Sequence, residues 1–265
     1  ADRCAIYVDQ VFGDLNGYGG IAIWVALYLF ALQIYCDFSG YTDIARGVSR
    51  ILGIELRLNF LRPYFATSIT DFWRRWHMSL STWLRDYLYI PLGGNRKGRI
   101  RTYINLILTM LLGGLWHGAN WTFVLWGAYH GALLALEKLL APLLAKIPGF
   151  QSPYFKPVKI LLTFHLVLLS WLFFRIGNLS QIKMVLAKLL AFDGEFVANP
   201  MIFFNMGVGF FALLLLELLY ELKLPVNEWF RRSHIGAKFA YAYALIFAII
   251  LFGVEKGAQF IYFQF

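Results

Sequence analysis

Five stretches of this 265-residue chain are apolar over enough length to cross a lipid bilayer, and that property limits the folds open to it more than any other. They are Gly17 to Cys36, Tyr103 to Leu140, Val158 to Phe174, Met201 to Leu222 and Phe239 to Val254. A hydrocarbon layer about 30 Å thick takes roughly 20 residues of helix, and backbone inside it must satisfy its own hydrogen bonds, so each stretch is predicted to be helical. Composition agrees, with 60% hydrophobic and 15% charged residues, against about 45–50% and 25% in ordinary soluble domains. The expected fold class is all-α: a polytopic helical membrane protein of five to six membrane segments, forming a single membrane domain over residues 1–265 with the lipid bilayer as its solvent.

The second stretch is too long for one span, near 57 Å at 1.5 Å per residue. Gly113, Gly114 and Gly118 are where it is expected to break into a hairpin, with His117 inside the break. Loop charge supports this. Asp37 to Thr102 carries eleven Lys or Arg against five acids, Glu137 to Lys159 four against one, and Glu221 to Lys238 four against two. These loops are predicted to be cytoplasmic. Ala1 to Asn16, Ile176 to Pro200 and the tail after Val254 have no basic excess and are predicted to face outward. The two sets alternate only if the long stretch enters and returns. The same loops account for the net charge of +9, so nucleic acid is not indicated as a partner. Cys4 and Cys36 lie in no ligand-like spacing, so neither a disulfide framework nor a metal site is expected. The opening "ADRCAIYVDQ" has neither an initiator Met nor the pattern of a signal peptide, and the chain is expected to be part of a longer one.

Between the first two stretches lies "SITDFWRRWHMSLSTWLRDYLYIPLGGNRKGRIR", which opens with Ser68 and Asp71 at capping-box spacing. At about 100° per residue, Phe72, Trp73, Trp76, Leu80, Trp83, Leu84 and Tyr87 share one face and Arg74, Met78, Ser81 and Arg85 the other. An amphipathic helix lying in the interface or capping the bundle is predicted, ended by Pro91 and the pair Gly93 and Gly94, with His77 on the boundary between faces.

The stretches "DFSGYTDIARG" (Asp37 to Gly47), "NFLRPYFATSITDFWRRWHMSLSTWLRDYLYIPLGGNRKG" (Asn59 to Gly98) and "TMLLGGLWHGANWTFVLWGAYHG" (Thr109 to Gly131) together resemble the membrane-bound O-acyltransferase family. The similarity is greatest to its bacterial branch of alginate O-acetyltransferases and relatives acting on peptidoglycan. The resemblance runs to the terminal "FIYFQF" and implies an MBOAT-like fold lacking the family's N-terminal helices. It implies transfer of an acyl group, most simply acetyl, from a cytoplasmic thioester such as acetyl-CoA to a hydroxyl of an extracytoplasmic polysaccharide such as alginate or peptidoglycan. It further implies a bacterial inner (cytoplasmic) membrane location, no tightly bound cofactor and an extracytoplasmic partner of the SGNH type. The family's principal histidine falls on His117 and its second polar position on His77.

The chemistry of those residues is compatible. Moving an acetyl group from sulfur to oxygen requires a base for the hydroxyl proton, and a neutral imidazole is suited to that near pH 7. A dry tunnel would also protect the thioester from hydrolysis. Hydrogen-bonding residues inside hydrocarbon are rare and costly, which marks His117 and the nearby Asn120 and Trp121 as candidates for function. Asn120 could orient His117; Arg96 and Lys97, with Arg99 and Arg101, could attract the phosphates of coenzyme A, although topology explains them equally well. Asp37 and Asp43 are expected to be structural, with an Arg partner such as Arg46 or Arg74. The alternatives are a transporter or channel with a polar intramembrane path, and a haem protein using His130 and His165 as axial ligands. His130 lies about 220° around a helix from His117, so the two would not share a face.

Overall fold

The computed structural model describes residues 1–196 and 200–254, and among them helices and turns are the only regular structure. It bears out the expected class, an all-helical multi-pass membrane protein with five helices long and apolar enough to cross a bilayer. The tail predicted to face outward lies outside the described residues.

Helix α1 (Asp2–Gly13) precedes α2 (Gly20–Ile51), which was expected to stop near Cys36 but runs on to 32 residues. Nothing in "DFSGYTDIARGVSR" ends a helix: it has no proline, Thr42 Oγ1 donates to Ser39 O at 3.0 Å, and Asp43 pairs with Arg46 at 3.1 Å one turn on. That pair is the Arg partner anticipated for Asp43. Helices α3 (Ile69–Arg75) and α4 (Met78–Leu84) lead through a π-helical turn to α5 (Arg99–His117) and α6 (Trp121–Leu144). Then come α7 (Lys156–Arg175), α8 (Leu179–Ala191), α9 (Pro200–Glu221), α10 (Val226–Arg232) and α11 (Ile235–Phe252).

The expected hairpin forms, but its break lies at Gly118 to Asn120 and leaves Gly113 and Gly114 inside α5. Their use is close approach. A methyl group on Gly114 would stand 2.2 Å from Phe123 O, one on Gly127 2.3 Å from Met110 O, and one on Gly131 2.7 Å from Ile107 Cα. These pairings fix an antiparallel register. They also show why this hairpin packs tightly in lipid, where helices gain by van der Waals contact of backbones rather than by escaping water.

Helices α1 and α8 were not foreseen, because neither contains a run of about 20 apolar residues. Val8 and Val11 of α1 are fully buried, and Trp24 Nε1 of α2 donates to Leu189 O of α8 at 3.0 Å. Loop contacts follow the two charge sets. Glu221, itself at the start of the third basic segment, receives Arg62 and Arg75 from the first and Lys156 from the second, at 3.0, 3.2 and 3.0 Å. In the other set Arg175 pairs with Asp9 at 2.6 Å, Asn120 Nδ2 donates to Gly177 O at 3.1 Å, and Gly20 N donates to Asp193 Oδ1 at 2.9 Å. The bundle therefore has a basic end and an opposite end.

Candidate active site

The amphipathic segment does not form the single helix that its periodicity suggests. Ser68 caps α3 as expected, accepting from Asp71 N at 3.1 Å, while Asp71 Oδ2 accepts from Thr67 N at 3.0 Å. The helix then stops. Trp76 is extended, His77 is left-handed at φ 42° and ψ 56°, and α4 begins at Met78. Left-handed backbone at a residue with a side chain costs about 1–2 kcal/mol, and the turn is held by hydrogen bonds from a separate strand of chain. Met78 N donates to Asn59 O at 3.0 Å, Ser79 N to Asn59 Oδ1 at 3.1 Å, and Leu61 N to Arg75 O at 2.9 Å.

The kink lets Trp76 enter the core, 2% exposed, with ring contacts to Phe60 at 4.9 Å, Trp171 at 5.0 Å and Phe72 at 5.6 Å. The face expected to be continuous is thereby divided. Phe72, Trp76, Leu80 and Leu84 are buried, whereas Trp83 and Tyr87 are 50% and 67% exposed and pack on each other. The first half of this segment is thus part of the bundle core and not a helix resting on the interface.

His117 is the last residue of α5, not a residue of the break itself. Its ring stands among Trp116 and Phe174, both at 5.0 Å, Trp126 at 5.2 Å and Phe123 at 6.3 Å. His77 packs edge-on against Phe38 at 4.8 Å and lies 6.4 Å from Trp116, so one indole touches both histidines. Two histidines forty positions apart in sequence are brought to a common place. Both rings are partly buried. Burial pushes the His77 imidazole down to about 4, which leaves it neutral at physiological pH. Its Nδ1 lies 3.4 Å from Ser79 Oγ.

The remaining candidates fall elsewhere. Asn120 is the N-cap of α6, its Oδ1 accepting from Thr122 N at 3.1 Å while its amide holds Gly177 O. Those bonds give it a role in joining the two turns rather than in orienting His117. Trp121 is 69% exposed. Arg96, which donates to Ile90 O at 3.3 Å, and Lys97 are exposed at the start of α5, about 27 Å along the helix from His117. Neither lines the cavity at that end. This cavity, about 700 Å³, takes its cations from Arg74, Arg85 and Lys138, and its inner wall includes Trp73, Met78 and Met110. Trp73 meets Trp126 at 5.6 Å, and Trp126 meets His117, so two indoles separate the cavity from the principal histidine.

His165 does not present a free nitrogen for a haem iron: Nε2 is 2.7 Å from Tyr28 OH and Nδ1 is 2.7 Å from Leu161 O. Asn59, Phe174 and the cavity cations were missed from the sequence. The turn at Asn59 joins segments with no common periodicity, and Arg74, Arg85 and Lys138 read as ordinary loop and interfacial charge.

The membrane-bound O-acyltransferase (MBOAT) family model matches residues 14–181, well over half of the chain, and the chain belongs to that family. The match includes both histidines and every element from α2 through α7. Among curated relatives, a probable alginate O-acetylase, AlgI, of Pseudomonas putida is 50% identical over 192 residues, 72% of this chain and 38% of that protein. A peptidoglycan O-acetyltransferase of Helicobacter pylori is 42% identical over 194 residues, 73% of this chain and 36% of the relative. A teichoic acid D-alanyltransferase of Streptococcus thermophilus is 33% identical over 165 residues, 56% and 40% of the two chains. The chain thus spans less than half the length of these relatives.

Proposed function

We propose that the protein transfers an acyl group, most simply acetyl, from a cytoplasmic thioester to a hydroxyl of an extracytoplasmic polysaccharide, with His117 as the base. The observation that carries this reading is the meeting of two half-buried imidazoles across Trp116, inside the family-matched region. The relatives' names supply the reaction class, and two of the three name acetyl transfer.

The basic end of the bundle is taken to be cytoplasmic, following the loop charges. The cavity there, lined by Arg74, Arg85 and Lys138 against one acid, Glu137, with Arg85 paired to Asp86, keeps a net positive lining that suits a donor bearing phosphates, such as acetyl-CoA or a carrier-bound thioester. His117 accepts the acceptor's hydroxyl proton as oxygen attacks the thioester carbonyl, the C–S bond breaks, and the departing sulfur takes that proton back from the imidazolium and leaves as the thiol toward the cytoplasm. The aromatic cage excludes water that would hydrolyse the donor. His77, beside the same indole, positions a reactant or supports His117. Delivery to the polymer calls for an extracytoplasmic partner of the SGNH type, and the location is the bacterial inner membrane.

The test uses the full-length enzyme. His117→Ala is expected to lower acetyl transfer about 10²- to 10⁴-fold with protein level and membrane insertion unchanged. Normal acetyl content of the polymer in that variant would refute the assignment. Orientation is checked with a cysteine placed at Gly98, which should react with impermeant reagents only from the cytoplasmic side.

A further inference from the structure

Behind the inner wall of the cavity lies a histidine to which acyl transfer, as set out above, gives no role. His130 of α6 is fully buried, at 0% exposure, and neither of its ring nitrogens has a hydrogen-bond partner among the described residues. Its ring lies parallel to Phe72 at 6.2 Å and edge-on to Trp126 at 4.9 Å and Trp73 at 5.1 Å. The two indoles touch each other at 5.6 Å, and their Nε1 atoms are likewise buried and unpartnered. Most buried polar groups in folded proteins find partners. Here four nitrogens without one sit on three mutually touching rings.

The chemistry of the walls limits the guest. Indole N–H only donates, so the guest must accept. Neutral imidazole donates from one nitrogen and accepts at the other, so it can complete the site in either sense. The rings around the triangle, Phe72 and Tyr129, offer a further apolar enclosure in which an uncompensated ion would be costly. A small neutral oxygen meets these demands.

We propose that His130, Trp73 and Trp126 form a buried binding site for one oxygen atom, which accepts from the indole N–H groups and hydrogen-bonds to the imidazole. Two sources carry that chemistry. One is an internal water, which needs only two to four polar partners to be held. The other is the carbonyl oxygen of the acyl donor, an assignment that rests on the proposed function. Trp73 lines the cavity and Trp126 packs on His117 at 5.2 Å, so a carbonyl held in the triangle would stand within one ring of the base, where donors stabilise the developing oxyanion.

The experiment is a high-resolution structure of the full-length enzyme in nanodiscs, alone and with a coenzyme A methyl ketone that keeps the carbonyl but cannot transfer its acyl group. Density within hydrogen-bond distance of the His130 ring and at least one indole nitrogen in the enzyme alone assigns the site to water. Density found there only with the ketone, as its carbonyl, assigns it to the donor. No density in either state overturns the proposal. A ketone that fails to bind anywhere counts against the acyl-transfer reading while leaving the water assignment intact. Kinetics then separate the sources in solution. Donor binding predicts that His130→Phe lowers kcat on the order of 10²-fold at unchanged KM, with partial recovery in His130→Gln. Water predicts turnover within about twofold of wild type, as for a structural site remote from the reacting atoms.

Discussion

The hairpin of α5 and α6 and the pair α9 and α11 are both drawn from apolar sequence, yet they meet their surroundings in opposite ways. In the hairpin three glycines admit the backbone of the neighbouring helix, and Asn105, Thr109 and His130 are buried within the protein. In α9 and α11 only 6% and 0% of the most apolar window is buried, so their side chains face outward on nearly all sides. Gly207 and Gly209 of α9 stand in open space. Apolarity alone says that a helix belongs in lipid. Small residues combined with aromatic and polar ones say that it packs on protein; His117 lies in that hairpin and His77 packs against its Trp116. The family match stops at residue 181, before α9 begins.

Glycine substitutions probe this contrast with the largest expected effect. Gly127→Ala places a methyl 2.3 Å from Met110 O, which is backbone and cannot swing aside. Overpacking of that kind costs about 3 kcal/mol and should sharply lower the folded fraction on thermal unfolding in detergent. Gly209→Ala meets nothing within 4 Å, and the better helix propensity of Ala makes the change neutral or stabilising by about 0.5–1 kcal/mol. Equal tolerance of the two would remove the distinction between packed and lipid-facing helices.

The next effect lies where the two regions join. Glu221 at the end of α9 gathers Arg62, Arg75 and Lys156, and its side chain is only 11% exposed. One turn earlier Glu217 Oε1 accepts from Tyr35 OH at 2.7 Å. Removing the shared anion takes this partner from Arg62 and Lys156, while Arg75 keeps Asp71 at 2.8 Å, so Glu221→Ala is expected to cost about 2 kcal/mol, below the 3–5 of a fully buried pair. Protease accessibility near α10 should rise with it. By contrast Glu228→Gln breaks an exposed pair with Arg232 at 3.5 Å and should leave stability unchanged.

Much of this was legible in the sequence, and the failures share a cause. Hydropathy located the five long apolar helices, loop charge sorted the contacts at the two ends, and the "GGLWHGANW" motif gave the hairpin. The break falls at Gly118, one of the three glycines expected to make it, while Gly113 and Gly114 stay helical, because glycine serves both to end helices and to let them touch and sequence does not say which. The helix at Ser68 was read as continuous because residues 72–87 keep helical periodicity on either side of His77. The kink follows from bonds to Asn59 and from the aromatic partners of Trp76, all remote in sequence. Asn120 resembled a site residue because it is polar in an apolar run, a property that capping explains equally well.

Asn59 offers the third test. Its carboxamide oxygen accepts from Ser79 N and its backbone oxygen from Met78 N, on either side of the constrained His77 turn. Asn59→Ala removes one of the two bonds, about 1–1.5 kcal/mol, and is expected to lower kcat more than stability by freeing the His77 ring. Asn59→Asp keeps the acceptor and should recover most turnover. If Asn59→Ala lost stability but kept kcat, the turn would be structural and His77 would lose its claim to a positioned role.

The smallest effect is the part of the pH dependence that His77 carries. Its folded value is about 4 because burial disfavours the charged ring, whereas an unfolded histidine titrates near 6.5. Between those values the unfolded chain binds the extra proton, so stability falls as pH drops from about 6.5 toward 4 and is level above that window. Partial exposure of the ring limits the contribution at pH 5 to about 1 kcal/mol. His77→Gln cannot titrate, so it should lessen the fall of stability below about pH 6.5 while leaving the values above pH 7 nearly unchanged. Identical pH profiles for wild type and His77→Gln would show that the His77 ring is solvated, and the case for a dry pair of imidazoles across Trp116 would fall with it.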